Sequence, residues 1–105
     1  MRKNRNEYAN QSECEPALIG VDLNRNYPYM FGNDDEGSSN DPCSEDYRGP
    51  EPFSEPETRN IRDFLERWSN IKIAVNLHAY GNLFIIPFNF DSVENPLMAA
   101  NFSKA

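Results

Sequence analysis

Histidine occurs once in these 105 residues, tryptophan once and cysteine twice, and each scarcity excludes something. A metal site built from this chain alone has His78 as its only imidazole. Two cysteines, Cys14 and Cys43, cannot form a zinc knuckle, which needs ligands paired two to four residues apart plus further ligands. Long apolar runs are also missing. No stretch of about 18 apolar residues exists, which excludes a membrane-spanning helix. Basic side chains are outnumbered 10 to 17, for a net charge of −7. No basic surface is left over to neutralise phosphates, which argues against nucleic acids or an anionic membrane as partners. Hydrophobic residues make up 38%, below the roughly 45–50% of ordinary soluble domains, so the core is expected to be thin. The opening MRKNRNEYANQ is basic with no apolar stretch behind it, and it does not read as a signal peptide. The length fits one small domain.

What is present reads as alternating elements. Residues 17–21 (ALIGV) form a short apolar run bounded by turn signals, the pattern of a buried strand. It ends abruptly in the polar DLNRNYPY. A buried strand that stops in Asp, Asn, Arg and Asn suggests a site at a strand's carboxyl end, where ligands bind in open α/β sheets. The competing reading is an ordinary asparagine-rich turn. Residues 32–52 carry the density of Gly, Pro, Ser and Asp expected of irregular chain. A loop that long inside a compact domain tends to be functional or pinned by a cross-link. Cys43 lies in it, so Cys14 and Cys43 read either as a bridged pair or as two buried thiols, with the polar surroundings favouring the bridge.

The clearest helix follows. Ser54-Glu55-Pro56-Glu57 has the form of a capping box with Ser54 as N-cap, and Pro56 falls in the first turn, where no intrahelical donor is lost. Ile61, Phe64, Leu65 and Trp68 recur at helical spacing, a face expected to pack on a sheet. Residues 71–77 (IKIAVNL) and 83–88 (LFIIPF) read as strands, and Asn95-Pro96 opens a further helical pattern. The order strand, loop, helix, strand, strand, helix points to an α/β sheet. If the strands ending at Val21 and His78 run parallel in one sheet, His78, Asn24 and Arg25 meet at one edge. An imidazole, an amide and a guanidinium whose fork donates two parallel hydrogen bonds suit a carboxylate bound near a metal.

Three stretches then carry a resemblance: GVDLNRNYPYMFG (20–32), DPCSEDYRGPEPFSEPET (41–58) and NLHAYGNLFIIPF (76–88). In order and spacing they resemble the zinc metallocarboxypeptidases of the pancreatic carboxypeptidase type. The resemblance implies an α/β fold, here a fragment of a mixed parallel and antiparallel sheet flanked by helices, incomplete. It implies that residues 1–105 are the central part of the catalytic domain. It implies a hydrolase that releases C-terminal residues from peptides by zinc-activated water attack. His78 falls on the third zinc ligand. Asn24 and Arg25 fall on the pair that holds the terminal carboxylate, and Arg5 on the arginine that polarises the scissile carbonyl and stabilises the oxyanion. Arg2 and Tyr80 fall on subsites upstream of the scissile bond. Cys14 and Cys43 fall on the family's disulfide pair, which implies an extracellular or secretory compartment. Non-proline cis bonds are implied at Ala79–Tyr80 and Pro87–Phe88. The substrate is the C-terminus of a peptide or protein, with no nucleic acid or membrane involved and a monomer as the full-length state.

The departures are as informative. The family takes its first two zinc ligands from an upstream HxxE motif that this sequence lacks. The general-base glutamate and a mobile tyrosine come from downstream of Ala105. The Zn2+ site is therefore incomplete within these residues, and the chain alone is expected to be inactive. The alternatives are a module that binds a peptide carboxylate without hydrolysing it, or an inactive truncated product.

Overall fold

A computed structural model describes residues 2–79 and residue 85. They fall into two units, Met1–Ile73 and Ala74–Ala105. The element order in the first unit is a 3-10 turn over Ala9–Gln11, a second over Leu23–Arg25, and helix α1 over Pro56–Arg67.

Helix α1 starts where the sequence marks it, one residue out of register with the expected cap. Pro56 occupies the first helical position, Glu57 lies in the first turn and Arg67 in the last, each on the favourable side of the helix dipole. The N-cap is Glu55 rather than Ser54. The reason is that the Ser54 hydroxyl is already committed: it accepts from Asn26 Nδ2 at 2.8 Å and donates to Glu55 Oε1 at 2.7 Å. Arg59 folds back instead, its Nη1 donating to the carbonyls of Phe53 at 2.9 Å and Ser54 at 2.5 Å. The apolar face is the second departure. Phe64 is 56% and Trp68 51% exposed, with Ile61 and Leu65 also exposed, because no sheet among the described residues covers them.

The expected strand over residues 17–21 shrinks to the pairing of two residues. Val21 O accepts from Asn4 N at 2.9 Å, and on the other side Asp22 N donates to Tyr47 O at 2.8 Å. Lys3 and Asp22 form an antiparallel bridge, Ser39 and Tyr47 a parallel one. Four short stretches thus lie side by side in the order 3–4, 21–22, 47 and 39, without extending into longer ladders among the described residues. Gly20 sets the first of these contacts. Its φ is +108°, and a Cβ there would stand 2.0 Å from Asn4 O, so no larger residue fits the approach. Residues 71–77 form no β-bridge among the described residues, and Ile73, Val75 and Leu77 are exposed. The strand expected over 83–88, the terminal helical pattern and both cis bonds lie outside the described residues.

The thin apolar core is real, and polar groups replace it. Val21 and Tyr47 are the buried hydrophobic residues among those described, against buried Lys3, Gln11, Asp22, Asn26, Arg48, Glu55 and Thr58. Polar burial on this scale is tolerable only when the groups are hydrogen-bonded or ion-paired, and each of these residues is, although Asp22 Oδ2 has only the ion pair to Arg2 among the described residues. Gln11 Nε2 donates to Gly20 O at 2.9 Å and Pro42 O at 2.8 Å. Lys3 Nζ donates to the carbonyls of Leu18, Pro42 and Ser44. Burial pushes the Lys3 ammonium below its ordinary pKa, against the raising effect of Asp41, Asp22 and Asp46.

The long loop is pinned as well as irregular. Cys14 and Cys43, 29 positions apart in the sequence, form a disulfide with Cα atoms 5.2 Å apart. Closing a loop of that length contributes about 3–4 kcal/mol through the unfolded chain. Arg48 Nη1 adds an ion pair to Asp35 at 2.5 Å. The bridge settles the choice that the cysteines' surroundings left open.

Candidate functional site

The polar segment after Val21 folds on one buried carboxylate. Asp22 is 3% exposed and caps the 3-10 turn, its Oδ1 accepting from Asn24 N at 3.1 Å while its carbonyl accepts from Arg25 N at 2.9 Å. Short polar side chains favour such local bonds over strand ladders, which is why the apolar run stops here. The second carboxylate oxygen, Oδ2, lies 3.2 Å from Arg2 Nε. Asp22 therefore gathers Arg2, Asn24 and Arg25 around one turn, with Arg2 and Asn24 exposed and Arg25 half-buried.

Within that group the Arg25 guanidinium has spare donors. Nη1 donates to Asn24 O at 3.3 Å. Nε is buried and has no hydrogen-bond partner among the described residues. Asp46 faces the same charges: a hydrogen bond from Ser44 holds its carboxyl below the usual range against the effect of burial, and Arg25 and Arg2 lower it further. A buried guanidinium donor without an acceptor is costly, and an incoming carboxylate is the natural group to satisfy it.

Asn26, one residue on, does a different job. It is fully buried. Its Nδ2 donates to Arg48 O at 2.9 Å, Glu51 O at 3.1 Å and Ser54 Oγ at 2.8 Å. Its Oδ1 accepts from Glu55 N at 3.2 Å and Thr58 Oγ1 at 2.7 Å, and its carbonyl from Phe53 N at 2.8 Å. Gly49 lets this cluster close, since a Cβ there would meet Ser54 Oγ at 2.6 Å and Asn26 Nδ2 at 2.8 Å. The turn that carries Asn24 and Arg25 is thereby fastened to the start of α1.

Arg5 is exposed, with Nη1 donating to Pro16 O at 3.4 Å. Its sequence neighbours are held by Glu55. Asn4 Nδ2 and Asn6 Nδ2 donate to Glu55 Oε2 at 2.6 and 3.0 Å, and Tyr8 OH donates to Oε1 at 2.6 Å. Burial alone would raise the Glu55 pKa, but bonds from Tyr8, Asn4, Asn6 and Ser54 outweigh it and hold the carboxyl below its ordinary value. Burial, reinforced by the bond to Glu55, pushes the Tyr8 phenol up.

Of the residues expected to carry chemistry, Arg2, Arg5, Asn24 and Arg25 belong to the first unit and His78 to the second. His78 is exposed, and Tyr80 lies outside the described residues. The roles of Asp22, Asn26 and Glu55 were not read from the sequence. The signal available was their polarity beside an apolar run, which does not distinguish a buried anchor from a turn. Among the described residues no three His, Cys, Asp or Glu side chains stand together as a metal group, and both cysteines are consumed by the disulfide. A catalytic zinc takes three protein ligands, so the single histidine here does not by itself fit the ion.

Comparison with known proteins bears on this set. The profile of the zinc carboxypeptidases matches residues 1–104. Carboxypeptidase B of the crayfish Astacus astacus is 44% identical over 92 residues, covering 87% of this chain and 28% of that protein. A metallocarboxypeptidase A-like protein of Trichophyton verrucosum is 41% identical over 84 residues, 77% of this chain and 19% of its own length. Carboxypeptidase A1 of Mus musculus is 41% identical over 87 residues, 82% and 20% respectively. The chain thus spans 19–28% of the length of these relatives. The family is α/β and uses zinc, and the 3-10 turn, disulfide and helix described above fall inside the matched residues. This chain belongs to the zinc carboxypeptidase family.

Proposed function

We propose that residues 1–105 form the central part of a metallocarboxypeptidase catalytic domain that releases C-terminal residues from peptides. The observation that carries this reading is the turn on Asp22, which presents an exposed amide at Asn24 beside the Arg25 guanidinium, whose Nε has no partner among the described residues. Asn24 and Arg25 hold the substrate's terminal carboxylate. That grip explains an enzyme that acts on the last residue only, because an internal peptide bond offers no carboxylate to bind. Arg5 donates to the scissile carbonyl oxygen as it gains negative charge, and a preformed donor at that position contributes about 3–4 kcal/mol in comparable sites. Arg2 and Tyr80 line subsites for the residues upstream.

His78 supplies one zinc ligand. The HxxE ligands and the general base come from sequence outside these residues, which also completes the mixed sheet against α1. When bound, a catalytic zinc acts as a Lewis acid and lowers the pKa of water. The disulfide supports an extracellular or secretory setting, where such bridges persist. A second reading, a module that binds a carboxylate without hydrolysis, is favoured by the presence of one metal-ligating histidine in the chain.

The test is zinc content and peptide hydrolysis measured together on the complete protein. His78→Ala is expected to weaken zinc binding more than 100-fold, consistent with losing one of three ligands, and to abolish hydrolysis. Unchanged zinc content and activity in His78→Ala would overturn the assignment.

A further inference from the structure

We infer that Glu55 is a positioning residue for Arg5, acting through the two asparagines on either side of it; this rests on the reading of Arg5 given above. Arg5 is exposed, and its guanidinium has a single long hydrogen bond among the described residues, to Pro16 O at 3.4 Å. Its own side chain is therefore not what fixes its place. The backbone on both sides is. Asn4 Nδ2 at 2.6 Å and Asn6 Nδ2 at 3.0 Å converge on the same oxygen, Glu55 Oε2. Asn4 Oδ1 in turn accepts from Val21 N at 2.9 Å and from Asn6 N at 3.4 Å.

The other carboxylate oxygen extends the clamp, taking Tyr8 OH at 2.6 Å and Ser54 Oγ at 2.7 Å. Four donors surround a carboxylate that is fully buried. Helix capping does not account for them, since Glu55 makes no side-chain bond to the amides of α1 although it stands at the N-cap. An ionised carboxylate is acceptor-only, and all four partners here donate, so the site is matched to a charged acid. The result is an arginine with a fixed root and a free head. Misplacement of a reacting group by about 1 Å can cost about 100-fold in rate, so the root is where control is most effective.

The experiment uses the complete, zinc-loaded protein and steady-state kinetics, with Glu55→Gln and Asn6→Ala each made alone and in an Arg5→Ala background. Glu55→Gln replaces an acceptor by a donor facing other donors. It is expected to lower kcat about tenfold with KM within about twofold, and Asn6→Ala, on an exposed residue, to lower kcat about threefold. In the Arg5→Ala background both effects should shrink below twofold, because the group being positioned is gone. Equal losses in both backgrounds would mean a merely structural role and would overturn the inference, as would unchanged kcat in both variants. Where Glu55→Gln does not fold, Asn6→Ala decides by the same comparison. Arg5→Ala alone separates the two readings: if it leaves kcat unchanged, the Arg5 assignment fails first and the inference with it.

Discussion

Arg25→Ala in the complete protein is expected to lower kcat/KM on peptides with a free C-terminus about 1000-fold, or about 4 kcal/mol at 1.36 kcal/mol per decade. The magnitude follows from what is lost. A carboxylate held by a guanidinium gains two charge-assisted bonds in a fixed geometry, and removal of one partner leaves the other charge desolvated and unpaired. The Nε donor of Arg25 is buried without a partner among the described residues, so the free protein already carries part of that desolvation. Arg25→Lys should recover little of the loss, because an ammonium cannot reproduce the fork. Steady-state kinetics on a free peptide decides it, and a loss below about threefold would remove Arg25 from the carboxylate site.

The second large effect concerns stability rather than chemistry. Asn26→Ala should destabilise the protein by about 4–5 kcal/mol, near the upper end for a single substitution. Five groups lose a bond at once, Arg48 O, Glu51 O, Ser54 Oγ, Glu55 N and Thr58 Oγ1, of which Ser54 Oγ and Thr58 Oγ1 keep one to Glu55. Each buried group left unsatisfied costs about 1–3 kcal/mol, and they do not add fully. Asn26→Asp is expected to be nearly as damaging, since a carboxylate oxygen would then face two carbonyls where Nδ2 donates. Asn24→Ala, on an exposed side chain two residues earlier, should cost less than about 0.5 kcal/mol in stability while weakening substrate binding. Denaturant unfolding of the three variants tests the contrast, and equal stability of Asn24→Ala and Asn26→Ala would refute it. On the proposed reading, two asparagines in one short motif divide between substrate and scaffold.

That division was not legible in the sequence, and the reason is physical. Local signals worked where the structure is local. Ile61, Phe64, Leu65 and Trp68 repeat at helical spacing, and α1 holds the first three with Trp68 as its C-cap; Pro56 stands in the first turn as expected. The capping box failed by one residue because Asn26, 28 positions away, recruits the Ser54 hydroxyl. No window of neighbouring residues contains that competitor. The Glu55 clamp is more remote still, joining residues 47, 49 and 51 positions apart. Polar residues carry no periodic signature that marks them as buried, so Asp22, Asn26 and Glu55 read as turn and surface. The strand expected over residues 17–21 failed for a related reason: an apolar run becomes a strand only where neighbours extend the pairing, and here Asn4 and Tyr47 pair with two residues alone. Asn24, Arg25 and His78 stand out at the ends of apolar runs, whereas Arg5, in a polar stretch with no periodic signal, is picked out only through the family resemblance.

The central claim is tested most directly by giving the complete, zinc-supplied protein a peptide with a free C-terminus and the same peptide amidated, and following both by mass spectrometry over time. The account predicts a ladder of single residues lost from the carboxyl end of the free peptide, while the amidated one stays intact. Equal cleavage of both peptides, cleavage at internal bonds, or binding of the free peptide with no residue released would contradict it.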